Sequence, residues 1–269
     1  MTAPSISPPP SVIPEVDVLV STFNSAATLR ASLASARRFL PIHRLIVVDR
    51  FSTDGSDVIA REFGAEVHPE NVGLGYSRTL ALSLAETERV VFLDGDVTIE
   101  RADFWARALA AFREPRTGAV VGNAVGHPFS YGLPLGLTVF PLDWARRVRI
   151  PAEAQGRETY YLQRAMRQDG LRVRYVPDAM SHRSQYRGRY WPEWQGAQTR
   201  LAAGWSVREV TYSALVVALM HLNSRRLGNV VYSPVFYLKF LRGYLAPQRW
   251  RTLDRRRGPE DTGRPSARA

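Results

Sequence analysis

Three short apolar runs constrain this chain more than any other feature. They are Val16–Ser21 (VDVLVS), Leu45–Asp49 (LIVVD) and Val90–Asp94 (VVFLD). Each is rich in β-branched or aromatic residues and apolar almost throughout, which predicts strands buried on both faces, as in a parallel sheet. Helical patterns separate them. Leu29, Leu33, Ala36 and Leu40 recur at helical spacing, with Asn24 or Ser25 as the expected cap. Asp57–Phe63 reads as a short helix stopped by Gly64, and Tyr76–Ala85 as a third. Alternation of this kind predicts an α/β fold with a mostly parallel, Rossmann-like sheet flanked by helices. Ligands of such sheets sit beyond the C-terminal ends of the strands. The polar residues at those ends are Ser21 to Asn24, Asp49 with Arg50, and Asp94-Gly95-Asp96. All three groups are expected to line one crevice.

Asp94 and Asp96 are one residue apart at a strand end, so their side chains can point to the same side. Close carboxylates repel unless a cation sits between them, and Mg²⁺ or Mn²⁺ with substrate phosphates is the usual partner. An Asp-Gly turn is the competing reading. Asn71–Arg78 (NVGLGYSR) is a glycine-containing loop entering a helix. It reads either as a phosphate-binding helix N-terminus, with Arg78 adding a charge-assisted contact, or as a plain turn.

The ordered set VDVLVSTFNSAATL, LIVVDRFSTDGS, NVGLGYSRTLAL and VVFLDGDV resembles the N-terminal half of family 2 glycosyltransferases of the GT-A fold, across residues 16–98. The resemblance implies that Asp94 and Asp96 form the family's DxD motif. Asp96 would bind the metal, Mg²⁺ or Mn²⁺, and Asp94 would lie near the ribose or the metal. Phe23 would face the nucleotide base, and Thr22, Asn24 and Asp49 would lie in the nucleotide-binding segments. The implied donor is a nucleotide-diphospho-sugar carrying UDP, GDP or dTDP. One departure is Arg50, which stands where the family often has a second acid contacting the base. Arginine accepts no hydrogen bond, so that contact is absent.

Further along, Gly156-Arg157-Glu158 and RVRYVPDAMSHRS are similar to the family's catalytic stretch, though more loosely. The resemblance places Glu158 as the general base of an inverting transfer and His182 as a metal ligand. The competing readings are a helix-capping acid and an exposed loop histidine. Asp178, after Pro177, reads as a turn residue.

Charge divides the chain unevenly. Residues 1–140 carry 12 Arg against 15 Asp and Glu, a net of −3, and residues 141–269 carry 24 Lys and Arg against 10 acids, a net of +14. An anionic partner is expected for the second half. From Pro234, the residues Phe236, Tyr237, Phe240, Leu241, Tyr244 and Leu245 form one stripe with Lys239 and Arg242 beside it. This fits either a membrane interface or packing on the core. A lipid-linked or membrane-proximal acceptor follows from the first alternative, with Arg187 or Arg189 meeting its phosphate, and the same chemistry on a soluble acceptor from the second. The Ala214–Leu222 run is too short to span a bilayer.

The expected organisation is a flexible leader over 1–13, a GT-A domain over 14–185, an Arg- and aromatic-rich helical appendage over 186–250 and a disordered tail over 251–269. With no secretory signal in the leader, the expected place is the cytoplasm, peripheral at the inner face of the cell membrane. The chain has no cysteine, which excludes disulfides and thiolate chemistry. Two other function classes weigh less. A nucleic-acid binder fits the basic half but lacks any binding motif, and a carboxylate pair repels phosphate. A sugar-nucleotide-forming nucleotidyltransferase needs a Gly-, Arg- and Lys-bearing loop after the first strand, where this chain has Ser21-Thr22-Phe23-Asn24.

Overall fold

The computed structural model describes residues 13–183, 190–224 and 227–250. The expected leader (but for Ile13), the expected tail, Arg187 and Arg189 lie outside the described residues. The three apolar runs form strands β1 (Val16–Thr22), β2 (Ile42–Asp49) and β4 (Arg89–Leu93). Around them lie β3 (Glu66–Pro69), β5 (Val97–Ile99), β6 (Thr117–Ala124), β7 (Leu137–Pro141) and β8 (Arg172–His182). The sheet runs β3-β2-β1-β4-β7-β6-β8-β5. Its β3-β2-β1-β4 half and the β6–β8 pair are parallel, while β7 runs antiparallel to both neighbours and β5 antiparallel to β8.

Helices cover both faces, which explains why β1, β2 and β4 read as continuous apolar runs. On one face, α1 (Ala26–Phe39), α2 (Ser56–Glu62) and α4 (Phe104–Ala111) pack through Leu29, Leu33, Ala60 and Phe104 onto Val18, Val20, Val47 and Val91. On the other, α3 (Leu74–Leu84), α5 (Leu142–Arg147) and α6 (Glu158–Gln168) pack through Leu82, Trp144 and Leu162 onto Leu19, Ile46 and Phe92. This is a GT-A-like α/β fold, with helices following it.

The cap of α1 departs from expectation. Ser25 is the capping residue but its side chain makes no cap bond. Asp54 serves instead, accepting the Ala26 backbone N–H at 2.9 Å. Burial pushes the Asp54 carboxyl up, but bonds from Ser56 and Ala26 outweigh this and hold it below the usual carboxylate range.

The C-terminal helices are α7 (Trp191–Ala203), α8 (Val207–Asn223) and α9 (Leu227–Leu245). Pro234 lies inside α9, whose tertiary packing overrides the missing N–H. The aromatic stripe turns inward. Phe236, Phe240 and Tyr244 are buried, and Phe236 meets Trp191 edge-on at 5.4 Å between ring centres. The two backbones touch: a Cβ on Gly196 would lie 1.9 Å from the Phe240 carbonyl oxygen, and one on Gly243 would lie 1.8 Å from that of Glu193. Core packing, not a membrane, therefore occupies this face. Phe240→Ala is expected to destabilise the helical layer by about 3–5 kcal/mol, the cost of deleting a buried aromatic. Calorimetry checks it, and an unchanged melting temperature would return the stripe to the surface.

Candidate functional site

Strand β4 ends in the core of the sheet, and the chain then turns through Asp94, Gly95 and Asp96 into β5. The antiparallel pairing of β5 with β8 sets Val97 opposite His182, and the Arg183 N–H donates to the Asp96 carbonyl at 2.7 Å. The sheet register therefore delivers the imidazole to the carboxylates. One ligand atom each from Asp94, Asp96 and His182 lie within 4.8 Å of one another. His182 Nε2 is 3.4 Å from Asp96 Oδ1. Two carboxylate oxygens and an imidazole nitrogen are a donor set that suits Mn²⁺ or Mg²⁺.

Arg78 enters the same place from α3, and not as the phosphate contact expected at an open helix end. It is 3 % exposed. Its Nη2 donates to Asp94 Oδ1 at 2.8 Å and lies 3.8 Å from Glu158 Oε1. The guanidinium sits over the Phe92 ring at 5.0 Å. Arg78 thus bridges the candidate metal ligand and the candidate base, and holds two carboxylates near each other that would otherwise repel.

Glu158 is buried in the first turn of α6, which begins just after Arg157 at φ 62°. The C-terminal helices brace this turn. Arg157 donates to Ser213 of α8 at 2.9 Å, and a Cβ on Gly156 would lie 2.5 Å from the Trp194 ring of α7. Burial holds the Arg157 guanidinium below its ordinary range, against the opposing pull of Glu209. Nothing in the sequence pattern of 186–250 announced that its helices support the 156–158 turn.

The ends of β1 and β2 form a laced pair of loops. The Asn24 side chain accepts the Thr53 N–H at 2.9 Å, and the Asn24 N–H donates to Ser52 Oγ at 2.9 Å. Asp49 is buried and bonded to Ser52 through both carboxylate oxygens, so it shapes the turn. The Thr22 hydroxyl is buried with no partner among the described residues. Phe23 is exposed, as a base-stacking residue requires, and so is Phe51, which sequence reasoning passed over. Phe51 adopts φ 46°, a left-handed conformation costly for a residue with a Cβ. Arg50 is partly buried and donates to Gln155 at 2.6 Å.

The glycine loop packs against protein. The Gly75 and Tyr76 N–H groups at the start of α3 donate to the Ala154 and Ala152 carbonyls, at 2.9 and 3.0 Å. A Cβ on Gly75 would lie 1.9 Å from the Pro151 oxygen. The glycine is needed for a loop to approach, and the backbone groups expected to hold a phosphate are already occupied. Asp178, read as a turn residue, adopts φ 51° within β8 and accepts the Gly126 N–H at 2.7 Å.

Comparison with known proteins agrees with this geometry. Among curated proteins, the cholesterol galactosyltransferase of Borreliella burgdorferi is 36 % identical over 93 residues, which cover 32 % of this chain and 26 % of that protein. The matched stretch thus spans about a quarter of the relative. Among solved structures, the mannosyltransferase PcManGT of Pyrobaculum calidifontis, in complex with GDP-Man and Mn²⁺, superposes with a TM-score of 0.66 at 17 % identity, over 92 % of this chain and 90 % of that one. Glucosyl-3-phosphoglycerate synthase of Mycobacterium tuberculosis, in complex with Mn²⁺, UDP and glucosyl-3-phosphoglycerate, gives 0.53 at 17 % identity, over 77 % and 80 %. At such identities the superpositions speak for the fold alone. The sequence model of glycosyl transferase family 2 matches residues 17–178, more than half of the chain, and covers β1 through most of β8 with the Asp94–Asp96 turn and Glu158. The chain belongs to glycosyl transferase family 2.

Proposed function

We propose that this protein transfers a sugar, with inversion, from a nucleotide-diphospho-sugar to a hydroxyl or phosphate acceptor that is lipid-linked or membrane-proximal, in a metal-dependent reaction. The observation that carries the reading is the placement of Glu158 against Arg78, which itself pairs with Asp94 of the Asp94–Asp96–His182 group. In this reading residues 14–185 are the catalytic unit and 186–250 a helical appendage bracing it. Asp96, Asp94 and His182 would hold the Mg²⁺ or Mn²⁺. When bound, the ion would neutralise the donor diphosphate and favour its departure. Phe23 would stack on the base, with Thr22, Asn24 and Asp49 shaping the nucleotide pocket and Arg78 fixing Asp94. For a hydroxyl acceptor, Glu158 takes the proton as the oxygen attacks the anomeric carbon from the face opposite the leaving nucleoside diphosphate.

Arg50, engaged with Gln155, offers no acceptor to a base, so UDP, GDP and dTDP all stay in play as the donor nucleotide. A membrane-proximal acceptor is supported by the outer face of the C-terminal helices. Leu227, Val231 and Leu238 of α9 are 66–79 % exposed on the side away from the buried aromatics, and Leu245, expected in the stripe, is 64 % exposed with them. No described helix is long and apolar enough to cross a membrane, so contact would be peripheral, and the cytoplasmic face is the proposed side.

The test is thermal stabilisation by UDP-, GDP- and dTDP-sugars, with Mn²⁺ and with chelator. At a hundredfold excess over Kd, a donor is expected to add about 2.7 kcal/mol of apparent stability, only when metal is present. No shift with any of the three would overturn the reading.

A further inference from the structure

We infer that the cleft between α6 and the start of α8 binds the phosphate of a membrane lipid whose chains lie along α8; this rests on the membrane-proximal reading above. The cleft has a volume of about 370 Å³ and is lined by Tyr160, Arg164 and Arg167 of α6 together with Ser206, Arg208 and Glu209 at the start of α8. Three guanidinium groups face one carboxylate. That carboxylate is committed: Glu209 is buried and lies 3.8 Å from Arg167. Arg164 and Arg208 are exposed and make no hydrogen bond or ion pair with any described residue. Two uncompensated cations at one concavity fit a phosphate or diphosphate.

The surroundings select an amphiphile. Trp205 and Val207, on either side of Ser206, are 69 % and 84 % exposed. On α8, Arg208, Leu215 and Leu222 recur every seven residues and so share one helix face, and both leucines are exposed. The cleft therefore opens onto an apolar track that starts at a cation. Net charge favours an anionic surface here, since residues 141–269 carry 24 basic against 10 acidic groups. Tyr160, Arg164 and Arg167 lie roughly 120–180° around α6 from the buried Glu158, so a lipid held in this cleft would dock the protein on the membrane surface rather than present the reacting hydroxyl.

The experiment is flotation of the full chain with phosphatidylcholine vesicles, with and without phosphatidic acid, and calorimetric titration with inorganic pyrophosphate. The wild type is expected to float only with phosphatidic acid, and pyrophosphate to compete. Arg164→Gln with Arg208→Gln is expected to weaken flotation about tenfold or more, with the Mn²⁺-dependent donor shift unchanged. Leu215→Ser with Leu222→Ser should abolish flotation while pyrophosphate still binds. Equal flotation on neutral vesicles, or no effect of the arginine pair, overturns the site. Pyrophosphate binding without flotation overturns the lipid as its source. Loss of the donor shift in wild type with flotation intact would sink the catalytic reading and leave this site standing.

Discussion

Asp96→Ala is expected to lower metal-dependent donor affinity by at least about a hundredfold while leaving the melting temperature of the free protein near wild type. The reason is position. Asp96 is only half-buried, in the turn after β4, and its backbone carbonyl, not its side chain, holds the Arg183 N–H at 2.7 Å. The alanine variant keeps that bond while losing a candidate ligand and the carboxylate's contact with His182. His182→Ala removes a nitrogen ligand from an exposed position and should weaken metal affinity less, by about tenfold, within the range typical of groups that tune a site. Asp94→Ala differs from both, because it also leaves the buried Arg78 without its 2.8 Å partner. An unpaired buried cation costs stability, so this variant is expected to melt lower as well as bind less. Titration calorimetry with Mn²⁺ and a donor separates the three. Full transfer activity in excess chelator would remove the metal from the mechanism.

Glu158→Gln should lower turnover by about 10²–10⁴-fold, the usual cost of losing a general base, with donor binding nearly unchanged. The amide keeps the size of the side chain and can still meet Arg78, so packing at the start of α6 survives. A fall in kcat with constant donor affinity is the expected pattern. Near wild-type turnover would place the base elsewhere. A parallel loss of stability and donor binding would instead mark Glu158 as a structural partner of Arg78.

How much of this was legible in the sequence depended on the range of the interaction. The strands were legible because burial on both faces leaves a local trace, as in LIVVD and VVFLD. The candidate metal group was legible for a similar reason: two of its members are neighbours in sequence, and the third closes a recognisable strand. The cap of α1 was not, because Asp54 reaches Ala26 from another loop. The glycine loop was left open between a phosphate site and a plain turn because a glycine that admits a ligand and one that admits a neighbouring backbone look alike; Gly75 admits Pro151. The stripe of α9 was legible at Phe236, Phe240 and Tyr244 but wrongly took in the exposed Leu245, and what it faces was left open; Gly196 and Gly243, which let α7 seat against it, carry no pattern of their own. Phe51 needed a dihedral angle to be noticed at all.

The pairing of β5 with β8 has a consequence for how the protein comes into being. Asp94 and Asp96 leave the ribosome long before His182, and β5, three residues long, reaches its place in the sheet only by pairing with β8. That closure is non-local and must offset its loop entropy before it gains any contact. A nascent chain thus carries Asp94 and Asp96 without the His182 imidazole beside them until most of the sheet exists. The full set of three candidate ligands becomes a checkpoint on assembly: an unfinished or misregistered sheet would offer an ion two of them at most, and only a completed one would offer all three.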